Sequence, residues 1–525
     1  MADIVRTCLG PRAMLKMLMD PMGGIVLTND GNAILREIDV GHPAAKSMLE
    51  LCRSQDEEVG DGTTSVIILA GEVLSAAVPF LERNFHPITI ISGYKKALDE
   101  CLKVLSTEIS KPVDIKNDAE MLNLIATSLG TKFASRWSDL ICELSLKAVR
   151  TVALPNGEID VKRYVRIEKI PGGEIEDSCL LNGVILNKDV VHPSMRREIV
   201  NPRVVLLDCN LEYKKGESQT NIEISKEGDW AKYLEIEESQ IREMCEHILA
   251  VKPDLVICEK GISDLAQHFL LKGGVSALRR VKKSDTNRLA RACGATIVNR
   301  VEDLKESDVG LRAGRFHVEK IGDEYFAYVD ECREATACTI LLRGPSKDVL
   351  NEIDRNLADA LAVTRNIMLQ PRLCPGGGAT EMALALKLEA AANSKIEGVE
   401  KLPFKAIATA LEIIPRTLAQ NCGADTFRLL TQLRAKHAAD PIKNGAVGID
   451  GISGSLVDYS NASEEEGKEI WEPLAVKAQI LKTAIEAACM ILRVDDIVSG
   501  MSKKGTGESA SQGGHEEQGH EGHNH

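Results

Sequence analysis

Hydrophobic positions recur at helical spacing over both ends of the chain and give way to short continuous apolar runs in its middle. Residues 4–19 read as helical, broken at Leu9-Gly10-Pro11, and residues 42–105 as a longer helical stretch in which Pro43 opens one helix. Between them, 24–28 and 33–38 flank Asn29-Asp30-Gly31-Asn32, which predicts a β-hairpin with Asp30 at its rigid tip. Helices are predicted over 119–127 and 135–151, a strand over 161–169 and a turn at Pro171-Gly172-Gly173. From residue 201 the pattern alternates: apolar runs at 203–208, 254–258 and 295–298 are separated by helices near 238–250 and 263–271. That alternation predicts an α/β unit with a largely covered sheet. The polar stretch 211–230 packs no core and is expected as a surface excursion. Helices return over 346–369, 402–421, 426–437 and 473–492, the last with Val476, Ile480, Ala484, Ala487 and Ile491 on one core-facing stripe.

Composition changes this picture in three ways. The 525 residues, 44% hydrophobic, suffice for two to four domains, and with only 3% aromatics their cores must be built from aliphatic side chains. The 14 cysteines form no CxxC pair, so a reducing compartment is expected, with Cys332 and Cys338 as free thiols although a hairpin would let them pair. A net charge of −14 argues against nucleic acid as the main partner. Residues 1–19 are interrupted by Asp3, Arg6, Arg12 and Lys16. With no apolar run read as membrane-spanning, a soluble chain is expected. Residues 505–525 are almost all Gly, Ser, Gln, Glu and His, a disordered composition in which His515, His520, His523 and His525 are at most a weak metal candidate.

The candidate chemistry centres on Gly60-Asp61-Gly62-Thr63-Thr64-Ser65. Glycines without Cβ atoms lead into a helix N-terminus whose N–H groups, with three hydroxyls, suit phosphate. Asp61 would repel phosphate unless a hard cation such as Mg²⁺ stood between them. The plain alternative is an ordinary helix cap. Pro375-Gly376-Gly377-Gly378 is a second glycine loop opening a helix, for which close backbone approach to a ligand is the expected cause. Asp30 is either a turn former or a carboxylate within reach of a γ-phosphate or a water. Thr131 and Lys132, in a short loop, either contact a nucleotide or cap a helix. Asp359 lies four residues after Arg355, the spacing of a surface ion pair. No Walker Gly-x-x-x-x-Gly-Lys-Ser/Thr and no Gly-x-Gly-x-x-Gly occurs, which speaks against the common nucleotide folds and a small-molecule phosphotransferase.

Taken in order, Leu9-Gly10-Pro11, Thr28-Asn29-Asp30-Gly31, Gly60-Asp61-Gly62-Thr63-Thr64-Ser65, Asp359-Ala360-Leu361, Pro375-Gly376-Gly377-Gly378, Trp471-Glu472-Pro473 and Asp495-Asp496-Ile497 resemble the group II chaperonins, the TCP-1 or TRiC/CCT family, over residues 1 to about 505. Residues 166–173, 211–224 and 290–295 resemble the gamma class of subunits of the eukaryotic cytosolic chaperonin most. The resemblance implies a mainly α fold with α/β parts in three nested domains. These would be an equatorial domain from 1–116 and 375–504, an intermediate domain from 117–185 and 342–374, and an apical, substrate-binding domain from 186–341, whose 211–230 excursion would be a lid protrusion; 505–525 would be a disordered tail.

It also implies an activity: a cytoplasmic ATP hydrolase subunit of a hetero-oligomeric double ring that encloses nonnative proteins such as actin and tubulin, with ATP and Mg²⁺ as cofactors. Asp61 would hold Mg²⁺, Gly62, Thr63, Thr64 and Ser65 would surround the phosphates, and Gly10, Thr131, Lys132 and Gly378 would line the same pocket. Gly451, Ile452, Glu472 and Lys477 would lie near adenine and ribose. Asp30 and Asp359 match the carboxylates that place and activate the attacking water, Asp359 arriving only when the intermediate domain swings down. Two departures stand out. Relatives carry roughly thirty more residues before the point matching Ile4, including a strand shared between subunits. Asp354 replaces a usual Glu, keeping the charge. A poorly hydrolysing subunit that supplies client surface and ring geometry is the alternative role.

Overall fold

The computed structural model describes residues 1–19, 25–130, 136–213, 227–460 and 469–497, without the side chains of 25–27 and 227–234. Three aliphatic cores dominate, and the chain visits them in a nested order. The first takes in residues between Val5 and Leu105 and returns with Cys374 to Cys489. The third joins Val113 to Ile175 with Cys338 to Leu373, and the second lies wholly within Val184 to Ala337. Both chain ends therefore build one helical body. Its central element is the helix Thr63–Glu82, in which Val66, Ile67, Ile68, Leu69 and Ala70 are all buried. Each large aliphatic side chain among them contributes about 2 kcal/mol by leaving water.

That helix corrects one expectation, since its length and apolarity alone would let it cross a membrane. Here it is a core helix, packed by Leu474–Ile491, Pro43–Glu58 and Lys401–Leu411.

The middle of the chain forms the α/β unit. A parallel sheet runs in the order Ser276–Leu278, Leu255–Cys258, Val204–Leu207, Ile297–Val298, beside an antiparallel sheet of Val184–Leu186, Glu324–Asp330, Arg315–Ile321 and Glu198–Val200. The strand Ser276–Leu278 and the helix Lys283–Cys293 go beyond the predicted pattern. The helix predicted near 238–250 starts earlier, as Glu227–Ala250. Most of the polar excursion, residues 214–226, lies outside the described residues, as do Thr131, Lys132 and the histidine-containing tail.

Other local expectations fail for identifiable reasons. Only Ala2–Arg6 of the first 19 residues is helical; Gly10 with φ 93° and Pro11 turn the chain, and Lys16–Met19 pairs with Ile25–Thr28 as an antiparallel hairpin. The residues after Asp30 form a helix, Gly31–Arg36, so Asp30 is a helix cap rather than a hairpin tip. The strand predicted at 161–169 is a turn of helix, Val161–Tyr164, followed by Val165–Pro171. Arg355 pairs with Glu352, so the surface pairing with Asp359 is not what occupies it. The expectation of free thiols at Cys332 and Cys338 holds: both are free, and they belong to different cores.

One buried histidine gives the fold a pH signature. His437 is 1% exposed, its Nε2 lies 2.8 Å from Val447 O, and burial pushes its pKa below the ordinary histidine value. A folded-state pKa below the unfolded one means that the unfolded chain binds the proton better, so stability is intact above about pH 6.5 and falls as pH drops below it. Hydrogen exchange over 426–449, corrected for intrinsic rates, should accelerate from pH 7.5 to 5.5, and His437→Gln should flatten that dependence.

Candidate functional site

The loop between the helices Pro43–Glu58 and Thr63–Glu82 and the turn that follows it bring together Asp30, Asp61, Gly62, Thr63, Thr64 and Ser65. Gly60 and Gly62 have φ of 70° and 76°, a backbone region that L side chains rarely adopt. A Cβ on Gly60 would lie 2.3 Å from Ala362 Cβ, and one on Gly62 would lie 2.5 Å from Ile480 Cδ1. Gly62 caps the Thr63 helix in the left-handed conformation with no side-chain hydrogen bond, and its first turn contains no acidic residue. The N–H groups of that turn thus keep their capacity and their partial positive charge for an anion. Thr64 and Ser65 lie in this turn with partly accessible side chains.

Asp30 is tied to the same turn. Its Oδ1 accepts from Thr63 Oγ1 at 3.0 Å, and its Oδ2 accepts from Ala33 N at 2.9 Å, capping the helix Gly31–Arg36. Gly31 is close-packed on Thr64, where an added Cβ would meet Oγ1 at 2.9 Å. Of the three hydroxyls expected around phosphate, Thr63 is therefore buried and donates to Asp30. Asp61 Oδ1 accepts from Gly62 N at 2.7 Å, and Gln55 Nε2 donates to Asp61 O at 2.9 Å. Gln55, fully buried, is a site residue that the sequence pattern did not single out.

The second glycine loop has a cause of its own. An added Cβ would meet Ile470 Cγ2 at 2.4 Å from Gly376, the Tyr459 hydroxyl at 2.4 Å from Gly377 and Pro415 Cβ at 2.7 Å from Gly378. Packing alone accounts for the run, so ligand approach is not required to explain three glycines. Gly378 nevertheless caps the helix Ala379–Lys395 without a side-chain bond, which gives a second helix N-terminus, open only in part, because Ala379 N already donates to Gly376 O and Glu381 stands in its first turn.

Both N-termini abut one turn of the helix Leu474–Ile491. Val476 and Ile480 flank Gly62, while Lys477 Nζ donates to Glu381 Oε1, in the first turn of the Ala379 helix, at 2.6 Å. Lys477 also pairs with Glu472 at 3.0 Å. Burial opposes charge on Lys477, yet Glu381 and Glu472 outweigh it and hold its pKa above the ordinary lysine value. Burial likewise raises the Glu472 pKa, with the charges of Glu381 and Asp61 adding and that of Lys477 opposing. The influence of Asp61 on Glu472 places the two loops in one electrostatic field. Glu381, buried with Oε2 lacking a partner among the described residues, is a member that periodicity could not reveal, because its partner is far along the chain.

Gly10 and Gly378 meet at the helix Ile413–Asn421, with Gly451 beside the Gly10 turn. Gly10 packs on Leu418 and Gly378 on Pro415, one turn apart, and Pro11 covers Gly451 at 2.6 Å from where its Cβ would be. Asn421 Nδ2 donates to Leu9 O at 2.8 Å, anchoring the Leu9-Gly10-Pro11 turn. Ile452 follows Gly451 in an exposed turn, its N–H bonded to Asp450. Asp359 is half-buried on the helix Lys347–Leu369, one turn before Ala362, the residue seated on Gly60.

The donor set suits a magnesium-bound triphosphate. Two helix N-termini and two hydroxyls can accept phosphate oxygens, Asp61 is an anionic oxygen donor beside them, and Asp30 lies against the same turn.

Comparison with known proteins identifies the family. The sequence profile of the TCP-1/cpn60 chaperonin family matches residues 1–502. T-complex protein 1 subunit gamma of Saccharomyces cerevisiae is 64% identical over 513 residues, covering 96% of this chain and 94% of that protein. The proteins of the same name from Schizosaccharomyces pombe and Homo sapiens are 63% and 59% identical over 505 and 523 residues, covering 96% and 99% of this chain and 94% of each relative. With a mainly helical body built from both chain ends around an α/β middle, and with near full-length identity at this level, the chain belongs to the TCP-1/cpn60 chaperonin family.

Proposed function

We propose that the chain is an ATP-hydrolysing subunit of a cytosolic hetero-oligomeric chaperonin ring that binds nonnative proteins, cytoskeletal ones such as actin and tubulin among them, and folds them in a closed chamber. The observation that carries the reading is the Asp30–Thr63 hydrogen bond, which fixes a carboxylate beside an uncapped helix N-terminus able to hold phosphate. The relatives are named as T-complex subunits, which supports assembly with other subunits of that complex.

In this reading the three cores correspond to domains: equatorial from 1–116 and 375–504, intermediate from 117–185 and 342–374, and apical from 186–341. Gly62, Thr64, Ser65 and Gly378 hold the phosphates through backbone N–H and hydroxyl groups, with Thr63 acting through Asp30. Gly10, Thr131 and Lys132 line the same pocket, and Gly451, Ile452, Glu472 and Lys477 lie near adenine and ribose. Asp61 holds Mg²⁺, which when bound neutralises phosphate charge. Asp30 and Asp359 orient the attacking water and accept its proton. Because Asp359 sits on a helix of the third core while Asp30 and Asp61 belong to the first, relative motion of the two would make hydrolysis depend on closure.

Asp359→Ala or Asp30→Ala in this chain should lower single-turnover hydrolysis at its own site by at least about 100-fold, in the purified native assembly, while ATP binding persists. Unchanged turnover would instead favour a subunit that contributes only client surface and ring geometry. Asp61→Ala should act differently. It removes the metal ligand, so ATP affinity in the presence of Mg²⁺ should fall, and the gain in affinity that Mg²⁺ gives should shrink toward none in a titration of the metal at fixed nucleotide.

A further inference from the structure

The helix Pro43–Glu58 ends where the phosphate loop begins, and the carbonyls of its last turn have no further helical N–H to meet. Three consecutive carbonyls there are taken by side chains from elsewhere in the chain. Glu57 O accepts from Lys162 Nζ at 2.7 Å, Glu58 O accepts from Arg365, and Val59 O accepts from Asn366 Nδ2 at 2.8 Å. Two of the three donors are cations at a helix C-terminus, where they also complement the macrodipole.

Arg365 and Asn366 belong to the helix Lys347–Leu369 that carries Asp359. Asn366 is the buried member, 4% exposed, and Arg365 Nη2 donates to its Oδ1 at 3.2 Å. That second bond fixes which end of the amide faces the loop, since an oxygen held by Arg365 leaves only the NH₂ to meet Val59 O. On the loop side, Val59 N and Gly60 N both donate to Gln55 O, and Gln55 Nε2 holds Asp61 O. The bond to Val59 O therefore joins the Asp359 helix to the segment whose next residues are Gly60, Asp61 and Gly62. Ala362, seated on Gly60, lies one turn before Asn366 and one turn after Asp359 on the same face.

We propose that Asn366 is a positioning residue for hydrolysis: by holding Val59 O it sets the register of the Asp359 helix on the Gly60-Asp61-Gly62 loop, so that loop geometry and Asp359 placement change together. Arg365 orients the Asn366 amide and Lys162 holds the neighbouring carbonyl. The proposal rests on the reading of this site as an ATPase.

The test uses the assembled protein with Asn366→Ala and the near-isosteric Asn366→Asp, which replaces the donor by an acceptor. Hydrogen exchange of peptides covering 56–64 should rise roughly tenfold without nucleotide, the effect of one lost buried bond. The share of MgATP turnover that Asp359→Ala removes should fall by a similar factor at unchanged KM. Asn366→Ala placed on Asp359→Ala should lower turnover no further, because the two act as one unit. Unchanged exchange and turnover, or losses that simply add to those of Asp359→Ala, would overturn the proposal. If Asp359→Ala itself leaves turnover intact, the ATPase reading falls and the exchange over 56–64 alone decides whether the clasp exists. Lys162→Ala, at an exposed position, gives the same exchange readout in smaller measure should the Asn366 variants assemble poorly.

Discussion

The candidate site depends on a steric condition: the Gly60-Asp61-Gly62 loop lies between two helices so close that positions 60 and 62 cannot carry side chains. Ala362 occupies the place of a Gly60 Cβ and Ile480 that of a Gly62 Cβ, from opposite parts of the chain. The left-handed backbone at both glycines turns the loop sharply enough for the Thr63 helix to start with its N–H groups uncovered. One condition thus produces both the anion-accepting end and the contact with the Asp359 helix. Any Cβ at Gly60 or Gly62 would push apart the elements whose closeness makes the site.

A buried charge cluster acts alongside it. Lys477 sits between Glu381 and Glu472 with little exposure, a net negative group whose ammonium is held charged by its neighbours. Burying such a cluster is costly unless all its members are present, and truncating Lys477 would strand two carboxylates. Its geometric role is plain: Lys477 comes from the last long helix, Glu381 from the first turn after the second glycine loop and Glu472 from the short strand Trp471–Pro473. The cluster ties the helix Leu474–Ile491 to the second loop, while Val476 and Ile480 of the same helix pack on Gly62 in the first, so one helix fixes how the two helix ends stand.

The helices of both chain ends were legible because each carries an apolar stripe long enough to outvote local ambiguity, as Thr63–Glu82 and Leu474–Ile491 do. The stretch after Asp30 was misread because Asn-Asp-Gly-Asn suits a tight turn as well as a helix cap; the bond from Thr63, thirty-three residues away, accompanies the capped form. The glycine run 376–378 was assigned to a ligand, yet Tyr459, Ile470 and Pro415 explain it, and none of these is near in sequence. The Gly60–Ser65 loop and Asp30 were legible from residue chemistry, while Gly451, Ile452, Glu472 and Lys477 came only through family resemblance; Gln55, Glu381 and Asn366 were missed because their meaning lies in partners distant along the chain or in backbone carbonyls, which leave no periodic trace.

Asp30 illustrates why such partners matter for chemistry. Both of its oxygens already accept a bond, one from Thr63 Oγ1 and one from Ala33 N, so the carboxylate cannot rotate without losing one of them. A carboxylate has about four lone-pair positions, and two remain for a further donor. In the proposed reading that donor is water, met by a group already oriented before nucleotide arrives, so no reorganisation of the carboxylate accompanies the reaction. Asp359 contrasts with it, because its placement depends on where a whole helix rests. In the proposed reading, a site with one fixed and one delivered carboxylate would separate binding from turnover, as hydrolysis coupled to closure requires.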